Sequence, residues 1–262
     1  MTTWPARTRP TVTLRPYAAT TARILRQLRN DHRTVGMILV VPAVLMSLLY
    51  FIYAEAPADP RGPALFDRVG ISMLGILPFL VMFLVTAIAM QRERSSGTLE
   101  RLLTTPLSKL DLIGGYGTAF SVAAAGQAVV ACLVSFGLLD LQAAGNPGWV
   151  VLIAVVDAIC GVALGLLASA FARTEFQAVQ FMPLVVGPQI FLCGLLVPRD
   201  QLPRWLEIIS NVLPLSYAVD ALEQVSTHAE PTGRMARDLL IVAAFAIVAL
   251  VLGAATLRRR SA

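Results

Sequence analysis

The sequence predicts an all-α protein that crosses a bilayer several times. Three observations carry this. Of its 262 residues, 56% are hydrophobic and only 14% are charged, against about 25% charged in ordinary globular domains. Six runs are long and apolar enough to span: Val35–Ala54, Gly70–Met90, Leu112–Leu139, Trp149–Phe171, Gln177–Val197 and Leu239–Leu257. A crossing helix needs about 20 such residues, at ~1.5 Å rise over ~30 Å of hydrocarbon. No run alternates in polarity as the strands of a membrane barrel must.

The elements follow in order. Residues up to about Thr13 are rich in Thr, Pro and Arg and read as disordered. From Pro16 to Arg33 a helical wheel puts Tyr17, Ile24, Leu25 and Leu28 on one face and Arg26, Arg29 and Arg33 on the other. That pattern is an interfacial helix with its arginines near lipid phosphates. The expected division is a tail and interfacial helix over 1–34, a transmembrane region over 35–257 and a basic tail over 258–262. The first apolar run begins too late and runs too long for the core of a cleavable signal peptide.

Orientation follows from the 21 Lys and Arg. Most fall before the first span, between the second and third, at Arg173, and in Arg258–Arg260. Basic loops stay on the cytoplasmic side, so both termini are expected there, in a multi-pass cell-membrane protein. The net charge of +5 reflects this bias and calls for no nucleic acid.

Between the second and third spans lies a polar island, 91–111, QRERSSGTLERLLTTPLSKLD. It is charged at Arg92, Glu93 and Arg94, turns at Gly97-Thr98, presents Leu99, Leu102 and Leu103 beside Glu100 and Arg101, and stops at Pro106. It reads as a compact cytoplasmic docking helix: the leucines supply an apolar ridge and the charges set register against a partner.

Within the spans, Asp157, Gly161, Gly165 and Ser169 recur every four residues, a small or polar stripe that admits a second helix closely. Asp157 is the one carboxylate deep in a span. It must face protein or water, as an interhelical hydrogen-bond partner or as a substrate or proton site. The fifth span holds Pro183 and Pro188 with Gln177, Gln180 and Gln189, polar groups suited to helix packing or a translocation path. Pro42 and Pro78 suggest further bends. The segment 198–217 places Leu202, Trp205, Leu206, Ile209 and Leu213 at helical spacing, with Pro203 at the start, Pro214 at the stop and Tyr217 beyond. That is a short outer helix, flat or re-entrant, forming a lid anchored by Trp205.

Cys132, Cys160 and Cys193 all fall inside spans and read as small apolar residues. No nucleophile elbow, metal cluster or phosphate-binding G-x-x-x-x-G-K-[ST] loop occurs, so no catalytic residue, cofactor or metal is assigned to this chain.

The island resembles the cytoplasmic loop of ABC-2-type transport permeases, the membrane subunits of type V ABC exporters, whose pattern is roughly E-x-x-x-G-T-x-E-x-L-x-x-x-P. Glu93, Gly97, Thr98, Glu100, Leu102 or Leu103, and Pro106 supply it here. The outer segment is also similar, from Gly194 and Pro198 through Leu202, Pro203 and Trp205 to Leu213–Asp220. The resemblance implies a coupling helix in the island that docks on a separate ATPase subunit, which binds ATP and Mg. It also implies a second permease subunit, identical or a sister chain, and export of drugs, antibiotics, lipids or lipid-linked glycans. Isolated phenylalanines and methionines in the spans favour a hydrophobic or amphipathic substrate over a stacked sugar polymer. A secondary transporter is the alternative in another class, although such proteins show repeats and several buried charges. A membrane scaffold is the third reading and would not need the bent fifth span.

Overall fold

The computed structural model describes residues 14–54, 65–98 and 108–256. Ten α-helices and one 3₁₀ turn account for their regular structure, with no strand among the described residues. The chain is an all-α polytopic membrane protein: among the described residues, five helices are long and apolar enough to cross a bilayer.

Helix α1 (Leu14–Asn30) lies against α4 (Lys109–Gly137) rather than standing free. Ile24 is buried there, while Arg26 and Arg29 stay exposed. Close approach is possible because α4 opens with glycines. A Cβ on Gly115 would sit 2.8 Å from a methyl of Thr20, and the Tyr17 hydroxyl hydrogen-bonds Thr118. A single residue, Asp31, separates α1 from α2 (His32–Tyr53). Its carboxylate accepts from the Thr34 amide at 3.1 Å and the Thr34 hydroxyl at 2.6 Å. These bonds cap α2 and hold the carboxyl below its ordinary range.

Helix α3 (Leu65–Ser95) has 31 residues and so runs ~46 Å, well past a ~30 Å hydrocarbon core. Its last turn carries Gln91–Arg94. Helix α4 starts from a capping box, in which Ser108 accepts from the Asp111 amide at 3.0 Å and Asp111 accepts from the Ser108 amide at 3.2 Å. Helix α5 (Pro147–Ala168) is capped by Asn146 with Pro147 in the first turn. It packs most extensively against α3 and also meets α4 and the last helix, α10 (Gly233–Thr256).

The count of six spans is not confirmed: the fifth apolar run, interrupted by its prolines, is not one long helix. It forms α6 (Glu175–Val185, 11 residues) and α7 (Gly187–Leu192, 6 residues), neither long enough to cross alone. Pro183 and Pro188 remove two backbone donors from the ladder, and Gly194, at φ +100°, turns the chain away. Beyond it come a 3₁₀ turn (Arg199–Gln201), α8 (Arg204–Ser210) and α9 (Pro214–Thr227). Pro203 caps α8 as expected, but Pro214 opens a further helix as well as ending a loop. Helix α9 is no surface piece. Leu215, Ala218, Val219, Ala221 and Leu222 are buried where it packs on α3, α5 and α10.

Candidate functional site

The polar island begins as the continuation of α3, so helix phase decides which side chains reach out. Arg92 is exposed and makes a two-pronged pair with Glu175 of α6, at 3.1 and 3.2 Å. The guanidinium holds the Glu175 carboxyl below its ordinary range. Glu93 turns inward and is 9% exposed, and its Oε2 has no hydrogen-bond partner among the described residues. Arg94 is half-buried, with Nε and Nη2 likewise unpartnered there. The helix then ends at Ser96-Gly97, where Gly97 adopts φ +71°, a conformation that suits glycine at a helix C-terminus. Thr98 follows, its hydroxyl 3.0 Å from that of Ser96. Leu99, Glu100, Leu102, Leu103 and Pro106 lie outside the described residues.

Asp157, Gly161, Gly165 and Ser169 lie along α5 where it crosses α3. A Cβ on Gly161 would run into the carbonyl oxygen of Phe79, and one on Gly165 into the Thr86 hydroxyl and the Phe83 carbonyl. The backbones therefore touch, and any larger residue would force them apart. Thr86 donates to the Met82 carbonyl at 2.6 Å within α3 and lies 3.4 Å from the Val162 carbonyl across the interface. Asp157 is fully buried, and neither carboxylate oxygen has a hydrogen-bond partner among the described residues. Oδ2 faces Gly75 of α3, 3.5 Å from where a Cβ would stand, and Leu222 of α9 crowds the same position.

The three glutamines do not share one surface. Gln177 accepts from the Arg173 amide at 2.8 Å in the turn that starts α6, and Gln180 is exposed. Gln189 is buried, donating to the Val185 carbonyl at 3.0 Å and accepting from the Leu215 amide at 3.4 Å. It thus tends the broken helix and the first free amide of α9 together.

One arginine ties together the segment that follows α7. Arg199 pairs with Asp220, donates to Ser210 Oγ at 3.1 Å, reaches Asn211, and lies 5.2 Å from the ring centre of Tyr217. The Tyr217 hydroxyl donates to the Asn211 carbonyl at 2.8 Å. Burial pushes the Asp220 carboxyl up, against the opposing pull of Arg199 and of Arg234, whose Nη2 stands 3.7 Å away. Trp205 is exposed on α8.

The family model for the ABC-2 type transporter matches residues 17–226. This chain belongs to the ABC-2 type transporter family. The match takes in most of α1, the island and the chain through nearly all of α9. Among its relatives, the probable multidrug ABC transporter permease YbhR of Escherichia coli K12 is 25% identical over 59% of this chain and 42% of its own length. The linearmycin resistance permease protein LnrN of Bacillus subtilis is 28% identical over 63% of this chain and 43% of its own. Nodulation protein J of Rhizobium leguminosarum bv. viciae is 28% identical over 66% of each chain. The aligned part of this ABC-2 chain thus spans less than half the length of YbhR and LnrN.

Sequence reasoning missed the Arg199–Asp220 clasp in this ABC-2 chain. Both residues stood in the segments that carried the resemblance, and their opposite charges in an apolar setting were the available signal. It also missed Tyr116, buried at the start of α4, whose hydroxyl accepts from Arg23 Nη2 at 2.8 Å.

Proposed function

We propose that this chain is the permease subunit of an ATP-driven exporter, with both termini cytoplasmic. It would move a hydrophobic or amphipathic substrate, drug-like or lipid-like, out across the cell membrane. A separate ATPase subunit would bind ATP and Mg and dock on the island, and a second permease, identical or a sister chain, would complete the path. The observation that carries this reading is the continuity of α3 into the island. A force applied at 91–111 enters the long helix that packs on α5, α9 and α4. The permease relatives, one of them named for linearmycin resistance, support the class of activity.

The motion follows from what is stiff and what is not. Helices α3 and α5 touch backbone to backbone and would move as a unit. The Arg92–Glu175 pair would carry the same displacement to α6, whose broken run yields at Val186. The α6–α7 pair would serve as the sixth crossing and as the flexible side of the path.

Affinity purification of the tagged chain from its native membranes tests this reading. Recovery of a P-loop ATPase in one-to-one ratio is expected, and recovery of none defeats it. Glu100→Lys and Leu103→Asp should insert normally yet lose the ATPase; retention by both removes the island as the docking site. Single cysteines at Ser96 and Ala229 should label from opposite sides of the membrane.

A further inference from the structure

Asp157 stands midway along α5, inside the bundle. Its side chain is fully buried, and both carboxylate oxygens lack a hydrogen-bond partner among the described residues. What packs over it is backbone and hydrocarbon. Oδ2 faces Gly75 of α3, 3.5 Å from where a Cβ would stand, and a methyl of Leu222 on α9 lies 2.8 Å from the same point.

The charged groups of the four helices packed on α5 all stand elsewhere. On α3 they lie at the two ends, Asp67 and Arg68 at one and Arg92–Arg94 at the other. On α4 they are Lys109 and Asp111 in the first turn. On α10 they are Arg234, Arg237 and Asp238, which pair with one another. On α9, Asp220 pairs with Arg199 and Arg234, and Glu223 is exposed. Two thiols, Cys160 and Cys193, are close enough to feel the charge of Asp157. No cation among the described residues is at hand, and an unpaired carboxylate in an apolar core is far more costly than its neutral acid.

Pro78 provides a place for the acid proton to go. A proline inside a helix leaves the carbonyl four residues earlier without its helical donor, here that of Leu74, next to Gly75. Such freed carbonyls are met by neighbouring helices. The Asp157 carboxyl and the Leu74 carbonyl are thus two acceptors at one joint, and a single proton serves both.

We propose that Asp157 is a proton-binding site, a neutral acid whose O–H donates to the Leu74 carbonyl where α3, α5 and α9 meet. One carboxylate closed over by a leucine methyl is no cage for a metal ion, which takes several such ligands. The charge appears only when α9 draws Leu222 away and water reaches the carboxyl, so opening this joint releases a proton. The site needs no ATPase and no substrate, and its failure would leave the transport reading intact.

The test is infrared spectroscopy of the purified full chain at neutral pH in dodecyl maltoside, a detergent without a carbonyl group. With the aspartate carboxyl carbons isotope-labelled, wild type should show a carboxylic-acid C=O band that moves with the label and in heavy water, and that Asp157→Asn lacks. No acid band lost in the variant overturns the proposal. Pro78→Ala gives the Leu74 carbonyl an amide donor and should shift the band to higher frequency; an unmoved band removes that carbonyl as the acceptor. Unfolding by denaturant in weak buffer should release about one proton more from wild type than from Asp157→Asn, and equal release contradicts a bound proton. The melting temperature of Asp157→Asn should match or exceed that of wild type, since its amide N–H can donate to the same carbonyl without charge. A sharp fall would mean that Asp157 is a carboxylate held by a cation.

Discussion

Two neighbouring parts of the bundle are built to opposite rules. Where α5 crosses α3, glycines bring the backbones into contact and the helices run unbroken for 22 and 31 residues. Where α6 meets α7, Pro183 and Pro188 interrupt an apolar run after 11 residues. Apolar length is the same kind of signal in both. What differs is whether backbone donors are present and whether side chains are small enough for close approach. The first region suits transmission of force and the second suits yielding to it, which is how one chain can hold a rigid lever beside a compliant wall.

The comparison breaks most severely at Gly165. Gly165→Leu drives a side chain into Thr86 and the Phe83 carbonyl, and overpacking of this kind typically costs ~1–3 kcal/mol or more. The proposed export should fall to background and the melting temperature in detergent should drop sharply; an unchanged melting curve would mean that the crossing is not rigid.

Arg199→Ala comes next. It removes the tie that holds the chain beyond α7 against α9 and leaves Asp220 buried without its nearest partner. Breaking a buried pair from one side costs about 3–5 kcal/mol. Arg199→Lys should recover only part, since lysine cannot reach Asp220, Ser210 and Asn211 from one planar group. Thermal unfolding of the three proteins ranks them.

Pro188→Ala sharpens the contrast instead of destroying it. An alanine amide can donate to the Leu184 carbonyl and join α6 to α7, in a place where proline sits tolerably at a helix start. The added hydrogen bond (~0.5–1.5 kcal/mol) is offset by the freedom the unfolded chain regains, so stability should change by less than ~1 kcal/mol, while the proposed export in resealed vesicles falls several-fold. Wild-type export with a straightened helix would remove compliance from the mechanism.

The smallest effect belongs to Glu175→Gln, which cuts the exposed link between the two regions. Such a pair contributes ~0.2–1 kcal/mol. Its sign with pH follows from the lowered Glu175 carboxyl. The contribution is present above the ordinary carboxylate range and is lost as pH falls through the depressed value. Wild type and variant should therefore differ slightly in melting temperature at neutral pH and converge in acid.

Much of this was legible beforehand for a physical reason. Crossing a bilayer needs length and apolarity, which add along the chain, so five crossing helices and the α1 amphipathic face could be read locally. The stripe from Asp157 to Ser169 was legible because four-residue spacing places it on one helix face. The broken fifth run was legible in its prolines but not in its consequence, since a kinked continuous helix and two short ones share the same sequence signs.

The amino-acid sequence by itself determined the class of protein, the place of the polar island and the family motif from Glu93 to Pro106. Only the tertiary structure decided where single polar groups face. Glu93 and Arg92 are adjacent in sequence, yet one is buried and the other lies exposed against Glu175, because a step of one residue rotates a helix by ~100° and the neighbours differ on each side. Arg199 and Asp220 are 21 residues apart and meet only because α9 folds back into the bundle. Asp157 carries the same spacing signal as the glycines below it, but Gly75 and Leu222 close over it and leave its oxygens without a partner among the described residues.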